Sequence, residues 1–125
     1  ITTTIFAGDA MLSRYVYQAT LRTGDFAAPF NNIAAEFKQN DLAFINLEAP
    51  FKESGPYDVS DQAMTFKVDP RMIAGLQAAG VDIVSLSNNH MYNAGQARVD
   101  YTKQHLVDND IGYCMEHWIY VKSTD

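Results

Sequence analysis

Apolar and polar positions alternate along this chain in two rhythms. "TTTIFAGD" (2–9) is β-branched and aromatic up to a Gly-Asp stop, which predicts a buried strand ending at Gly8. "LAFINLE" (42–48) predicts a second strand. "VDIVSLS" (81–87) is an apolar run of the kind that fills the centre of a parallel sheet. "MTFKV" (64–68) reads as a short strand candidate and "IGYCM" (111–115) as the start of a further one.

Between these runs the rhythm is helical. "SRYVYQATLRTGD" (13–25) predicts a short helix closed by Gly24, with Tyr15, Ala19 and Arg22 on one face and Val16 and Thr20 beside them. "APFNNIAAEFKQND" (28–41) sets Phe30, Ile33, Ala34 and Phe37 at helical spacing. The strongest helix signal is "DPRMIAGLQAAG" (69–80), where Asp69 can cap, Pro70 takes the first position and Gly80 follows the last turn. Its face is marked by Ile73, Leu76 and Gln77. Residues 95–109 predict another helix with Val99, Thr102, Leu106 and Val107 as its stripe, and Ala49 to Ala63 reads as a long loop. Strands and helices in this order define an α/β chain with a mostly parallel central sheet flanked by helices.

Length and charge narrow the picture. At 125 residues, 47% of them hydrophobic, the chain is expected to form a single globular domain spanning 1–125. The net charge of -6 and the absence of any Lys/Arg cluster disfavour a nucleic-acid surface. Acidic side chains that gather at one place could instead hold a cation. The lone Cys114 excludes an intramolecular disulfide and reads as a small core residue. No apolar run approaches the roughly 18 residues of a membrane span. The abrupt strand-like start at "ITTTIFAGD" and the end at "VKSTD" are those expected of a piece trimmed from something longer.

Three strands end in polar clusters: Gly8-Asp9, Asn46-Leu47-Glu48 and Asn88-Asn89-His90. In a parallel sheet these ends lie along one edge, where ligands of α/β proteins bind. Asp9, Asn46, Glu48, Asn89 and His90 are therefore expected to converge. Two carboxylates, amide oxygens and an imidazole suit divalent ions such as Mn²⁺, Mg²⁺ or Zn²⁺. Each residue also has a plainer reading: Asp9 as a cap, Glu48 as a solvated loop acid, Asn88 and Asn89 as turn formers, His90 as a hydrogen-bonded structural histidine. Arg14 is placed to meet an anionic substrate or to form a surface salt bridge. His105 and His117 are weaker candidates. No phosphate-binding glycine loop, dinucleotide fingerprint or serine-hydrolase elbow is present.

The stretches "FAGDAMLSR" (6–14), "NDLAFINLEAPF" (40–51), "FKVDPRMIAGLQAAGVDIVSLSNNHMYNAG" (66–95) and "DNDIGY" (108–113), taken together and in order, resemble the bacterial capsule-synthesis family of CapA/PgsA type, associated with poly-γ-glutamate capsules. That family is similar to the calcineurin-like metallophosphoesterases, whose αββα sandwich binds two metal ions at its strand ends. The resemblance implies that this chain is the N-terminal half of such a domain. It implies Asp9 and Glu48 as carboxylate ligands of a divalent metal and Asn89 as an amide ligand. His90 becomes a general acid or phosphate contact, and Asn46 orients Glu48 or touches the substrate. It also implies an exported, cell-surface-associated bacterial protein whose partners are an anionic polymer or phosphoester substrate and capsule synthase subunits. Two departures stand out. Asn93 replaces an Asp of the family pattern, and the family's downstream Gly-x-His motif does not occur up to Asp125. A metal-dependent hydrolase, a non-catalytic polymer-binding or scaffold component, and a purely structural set of strand-end turns are the three functions compatible with this reading.

Overall fold

The computed structural model describes residues 1–57, 59, 65–116 and 118–121. Strands β1 (Thr4–Ala10), β2 (Leu42–Leu47), β3 (Ile83–Ser85) and β4 (Gly112–Met115) lie side by side in sequence order, all parallel. A fifth strand, β5 (Trp118–Tyr120), pairs antiparallel with β4 and was not anticipated from the pattern. Helices α1 (Arg14–Thr23), α2 (Ala34–Lys38), α3 (Ile73–Ala79) and α4 (Gln96–Asp108) fill the crossovers. Right-handed crossovers between strands laid down in sequence order put every helix on the same face of the sheet. The result is one helix layer on one sheet layer.

Burial along β2 records this one-sidedness. Ala43, Ile45 and Leu47 are buried under the helices, while Leu42 is 39% exposed and Phe44 and Asn46 are only half-buried. Across the register, Phe6 partners Phe44 and is 72% exposed, with the two rings 5.4 Å apart. An apolar row therefore lies on the open face. Cys114, expected in the core, is half-buried on β4 opposite Ser85, which belongs to that same open face.

The helices differ in detail from the sequence reading. In α1 the buried residues are Tyr17 and Thr20, whereas Tyr15 and Val16 face solvent. Residues 28–41 do not form one helix: Pro29 opens a 3-10 turn at Ala28–Phe30, and α2 follows as a separate short helix. Phe30 and Phe37 are still buried, but Ile33 is exposed. Gly75 in α3 sits so close to that turn that a Cβ would meet the Phe26 carbonyl oxygen at 2.8 Å. Asp69 caps through the Arg71 amide, but the element it caps is a 3-10 turn at Pro70–Met72 that leads into α3, and Gly80 ends α3 at φ 76.

The segment 64–68 does not form a strand among its described residues. Val68 makes an isolated bridge to Phe51, with Lys52 and Val68 amides bonding Val68 and Pro50 carbonyls at 3.0 Å. The Phe51 amide donates to Thr102 Oγ1 in α4, and its ring meets His105 edge-on at 4.9 Å. Asp69, only 2% exposed, accepts from the Tyr17 hydroxyl at 2.8 Å and from Arg71 Nη2 at 2.6 Å. Burial alone would raise its carboxyl, but the Arg71 side-chain and backbone bonds and the Tyr17 bond outweigh that and hold it below the ordinary carboxylate value. α1, the 50–57 segment and α3 are tied together at this point. His105 belongs to the same framework, with Nε2 2.9 Å from the Pro70 carbonyl.

Candidate functional site

Strand β1 carries an irregularity that decides where Asp9 points. Thr4, Ile5 and Phe6 pair with Leu42, Ala43 and Phe44, but the next partners are Asp9 with Asn46 and Ala10 with Leu47. Three residues on β1 thus span two on β2, a β-bulge at Ala7 and Gly8. In unbroken register Asp9 would face Leu47 and turn toward the helices. A one-residue slip exchanges the faces of a strand, so the bulge delivers Asp9 to the face that holds Asn46.

Asn46 organises the two carboxylates. Its amide nitrogen donates to Asp9 Oδ1 at 2.8 Å and to Glu48 Oε2 at 2.6 Å. Carboxylates only accept, so the group between them is the NH₂ and the Asn46 oxygen points away. That oxygen accepts from Asn88 Nδ2 at 3.1 Å, and Asn88 also donates to the Leu47 carbonyl at 2.8 Å. The Asn88 oxygen in turn accepts the His90 amide at 3.1 Å. Asn88 is thus the clasp between the ends of β2 and β3, a role that its place beside Asn89 and His90 did not disclose.

His90 is fixed from both sides. Its Nδ1 lies 3.0 Å from Asn93 Oδ1, which also accepts the Phe66 amide at 3.1 Å. Because the Phe66 N–H can only donate, the Asn93 atom there is oxygen, and Nδ1 of His90 must carry the proton. The Nε2 lone pair then faces Asn89 Nδ2 at 3.3 Å and Glu48 Oε1 at 3.7 Å. The ring packs on Phe66 with centroids 4.2 Å apart. Arg14 opens α1 at φ 58, and its guanidinium carbon stands 5.5 Å from the same Phe66 ring. Asn93, read from the sequence as standing where the family pattern has an Asp, holds both the 66 and 90 segments through its side-chain oxygen.

All six residues expected at the strand ends and at Arg14 therefore belong to one neighbourhood, linked by direct bonds or through Phe66. His105 is part of the framework, and His117 lies outside the described residues. Asp9 and Glu48 offer hard oxygen donors and Asn89 an amide oxygen, which suits Mn²⁺, Mg²⁺ or Zn²⁺ in kind. Among the described residues no three of His, Cys, Asp and Glu are grouped so that they could hold an ion by themselves.

The fold is an α/β sheet, parallel over β1–β4, with a bonded set of acids, amides and a histidine at the carboxyl edge, the edge where α/β folds place their ligands. The family described as "Bacterial capsule synthesis protein PGA_cap" matches residues 3–114, and this chain belongs to that family. The chain is also similar to the capsule biosynthesis protein CapA of Bacillus anthracis, with 25% identity over 114 residues. That match covers 89% of this chain and 27% of the relative, so the chain spans about a quarter of the relative's length.

Proposed function

We propose that this chain supplies part of a metal-dependent hydrolase centre in a capsule-synthesis protein associated with the bacterial cell surface. The substrate would be a phosphoester or an amide link of an anionic, glutamate-type polymer, with capsule synthase subunits as partners. The observation that carries the reading is the Asp9–Asn46–Glu48 bridge with His90 Nε2 facing Glu48. A set of turn residues would have no reason to hold two carboxylates on one amide. Membership of the capsule-synthesis family supports the setting.

Asp9, Glu48 and Asn89 are the residues that would hold a divalent ion, which would supply a more acidic bound water and neutralise developing charge. The chain's own residues do the rest. Asn93 keeps the His90 proton on Nδ1, which leaves Nε2 as the atom that takes up and passes on a proton at a leaving group. Glu48 Oε1 stabilises the imidazolium formed on the way. Asn46 keeps both carboxylates from rotating away, and Arg14 meets the anionic part of the substrate.

The test is a thermal shift with Mn²⁺, Zn²⁺ and Mg²⁺ on the full-length protein, before and after Asp9→Ala. A rise in melting temperature that Asp9→Ala removes is expected. A melting temperature indifferent to all three ions overturns the proposal.

One feature favours a second reading, a non-catalytic polymer-binding or scaffold component. The Asn46 NH₂ bridges the two carboxylates and satisfies one oxygen of each without any ion. Polymer binding that survives Glu48→Ala combined with His90→Ala would support this reading over the first.

A further inference from the structure

On the β4 side of Asn89 the ends of β3 and β4 border a separate, open cavity of about 410 Å³. Its floor is apolar, made by the buried Leu86 and Met115. Its rim is polar, made by Ser87, Asn89, Tyr92 and Glu116. Two bonds shape that rim. The Glu116 amide donates to Ser87 Oγ at 3.0 Å, and the Tyr92 hydroxyl donates to Glu116 Oε1 at 3.2 Å. Glu116 adopts φ 55, a left-handed conformation that a glutamate holds only when its surroundings enforce it. Tyr92 nevertheless stays 48% exposed, so its ring is not part of the core.

We propose that this cavity is a subsite for a neutral, hydroxyl-bearing ring such as a sugar unit, with Tyr92 as the stacking surface and Glu116 as the hydroxyl acceptor. It extends the proposed site by placing a recognition pocket next to Asn89 and His90, and it rests on that reading only for its role in a reaction. The chemistry excludes the alternatives in turn. A carboxylate or phosphate entering here would meet the Glu116 charge. A purely apolar group would strip water from Glu116 and Ser87 without replacing its hydrogen bonds. An ammonium group would find one exposed carboxylate already bonded to Tyr92, and such lone surface pairs bind weakly. A polyhydroxylated ring engages the Tyr92 face, the Glu116 carboxylate and the Ser87 and Asn89 polar groups together.

The experiment is an amide NMR titration of the protein with diacetylchitobiose as the neutral probe, γ-glutamylglutamate as the anionic probe and lysine as the cationic one. Diacetylchitobiose is expected to shift Ser87, Asn89, Tyr92 and Glu116, with γ-glutamylglutamate and lysine leaving them in place. Tyr92→Ala and Glu116→Gln should each weaken binding by about fivefold or more, as expected for one lost contact. A response only to γ-glutamylglutamate or lysine overturns the proposal, as does no response to the disaccharide or one that both variants leave unchanged. Disaccharide binding that persists in a protein indifferent to metal overturns the hydrolase reading and leaves the subsite standing.

Discussion

The side-chain oxygen of Asn93 lies 3.0 Å from Nδ1 of His90 and 3.1 Å from the Phe66 amide, so one acceptor sets both a tautomer and a loop position. Asn93→Ala leaves the Phe66 amide and Nδ1 without that partner and should cost about 1–3 kcal/mol of stability. ¹⁵N NMR of the imidazole should show the Nδ1–H form dominant in the parent and mixed tautomers in Asn93→Ala. Asn93→Asp keeps an oxygen in place and should retain the Nδ1–H form. A tautomer unaffected by Asn93→Ala would disprove the assignment.

Asn46 sits where a third carboxylate would be repelled. Asn46→Asp replaces the donating NH₂ by an oxygen facing Asp9 Oδ1 and Glu48 Oε2. Stability in a chelator should fall by about 1–3 kcal/mol. Because only the folded state gathers three carboxylates, millimolar Mg²⁺ or Mn²⁺ should restore part of the loss. Urea denaturation with and without the ion measures both effects, and equal loss in both conditions refutes the expectation.

The bulge in β1 gives a sharper geometric test. Inserting one alanine between Gly8 and Asp9 moves Asp9 one position along β1, opposite Leu47 on the helix-covered face. The variant should melt well below the parent and lose any metal-induced shift. Gly8→Ala is the control, because a Cβ at Gly8 meets nothing within 4 Å and should leave stability within about 0.5 kcal/mol. An insertion variant as stable and metal-responsive as the parent would show that strand register does not orient Asp9.

Acid sensitivity should trace to Asp69. Its carboxyl is raised by burial but held, on balance, below the ordinary value by Arg71 and Tyr17. The unfolded chain therefore takes up the proton first, and stability rises with pH in that window. This contribution is fully present above the unfolded value near about 4 and is lost as pH falls through the folded value. Asp69→Asn should cost about 1–3 kcal/mol at pH 7 and flatten the stability profile below about pH 4. Denaturation at pH 7 and pH 3 checks the sign; a variant that keeps the parent's acid slope contradicts it.

The element types followed from the chain because their signals are local. An apolar run such as 81–87 has few ways to satisfy its backbone other than a central strand, and Asp69, Pro70 and Gly80 mark their helix by capping chemistry alone. Errors came where a neighbour decided. Tyr17 is buried because Asp69, 52 residues on, accepts its hydroxyl, and no periodicity within α1 could show that. Among the described residues, 65–68 have no strand partner beyond the single Phe51 bridge. β5 forms because β4 offers an unpaired edge.

The sequence by itself determined that polar groups end three parallel strands, since that is a matter of order along the chain. It also determined their chemical types. Only the tertiary structure decided which of them touch: the bulge that turns Asp9, the Asn46 amide between two acids, and the Asn93 oxygen behind His90. Register, face and hydrogen-bond direction are relations between segments far apart in the chain. They are fixed by how the strands pack, not by any residue's own preference.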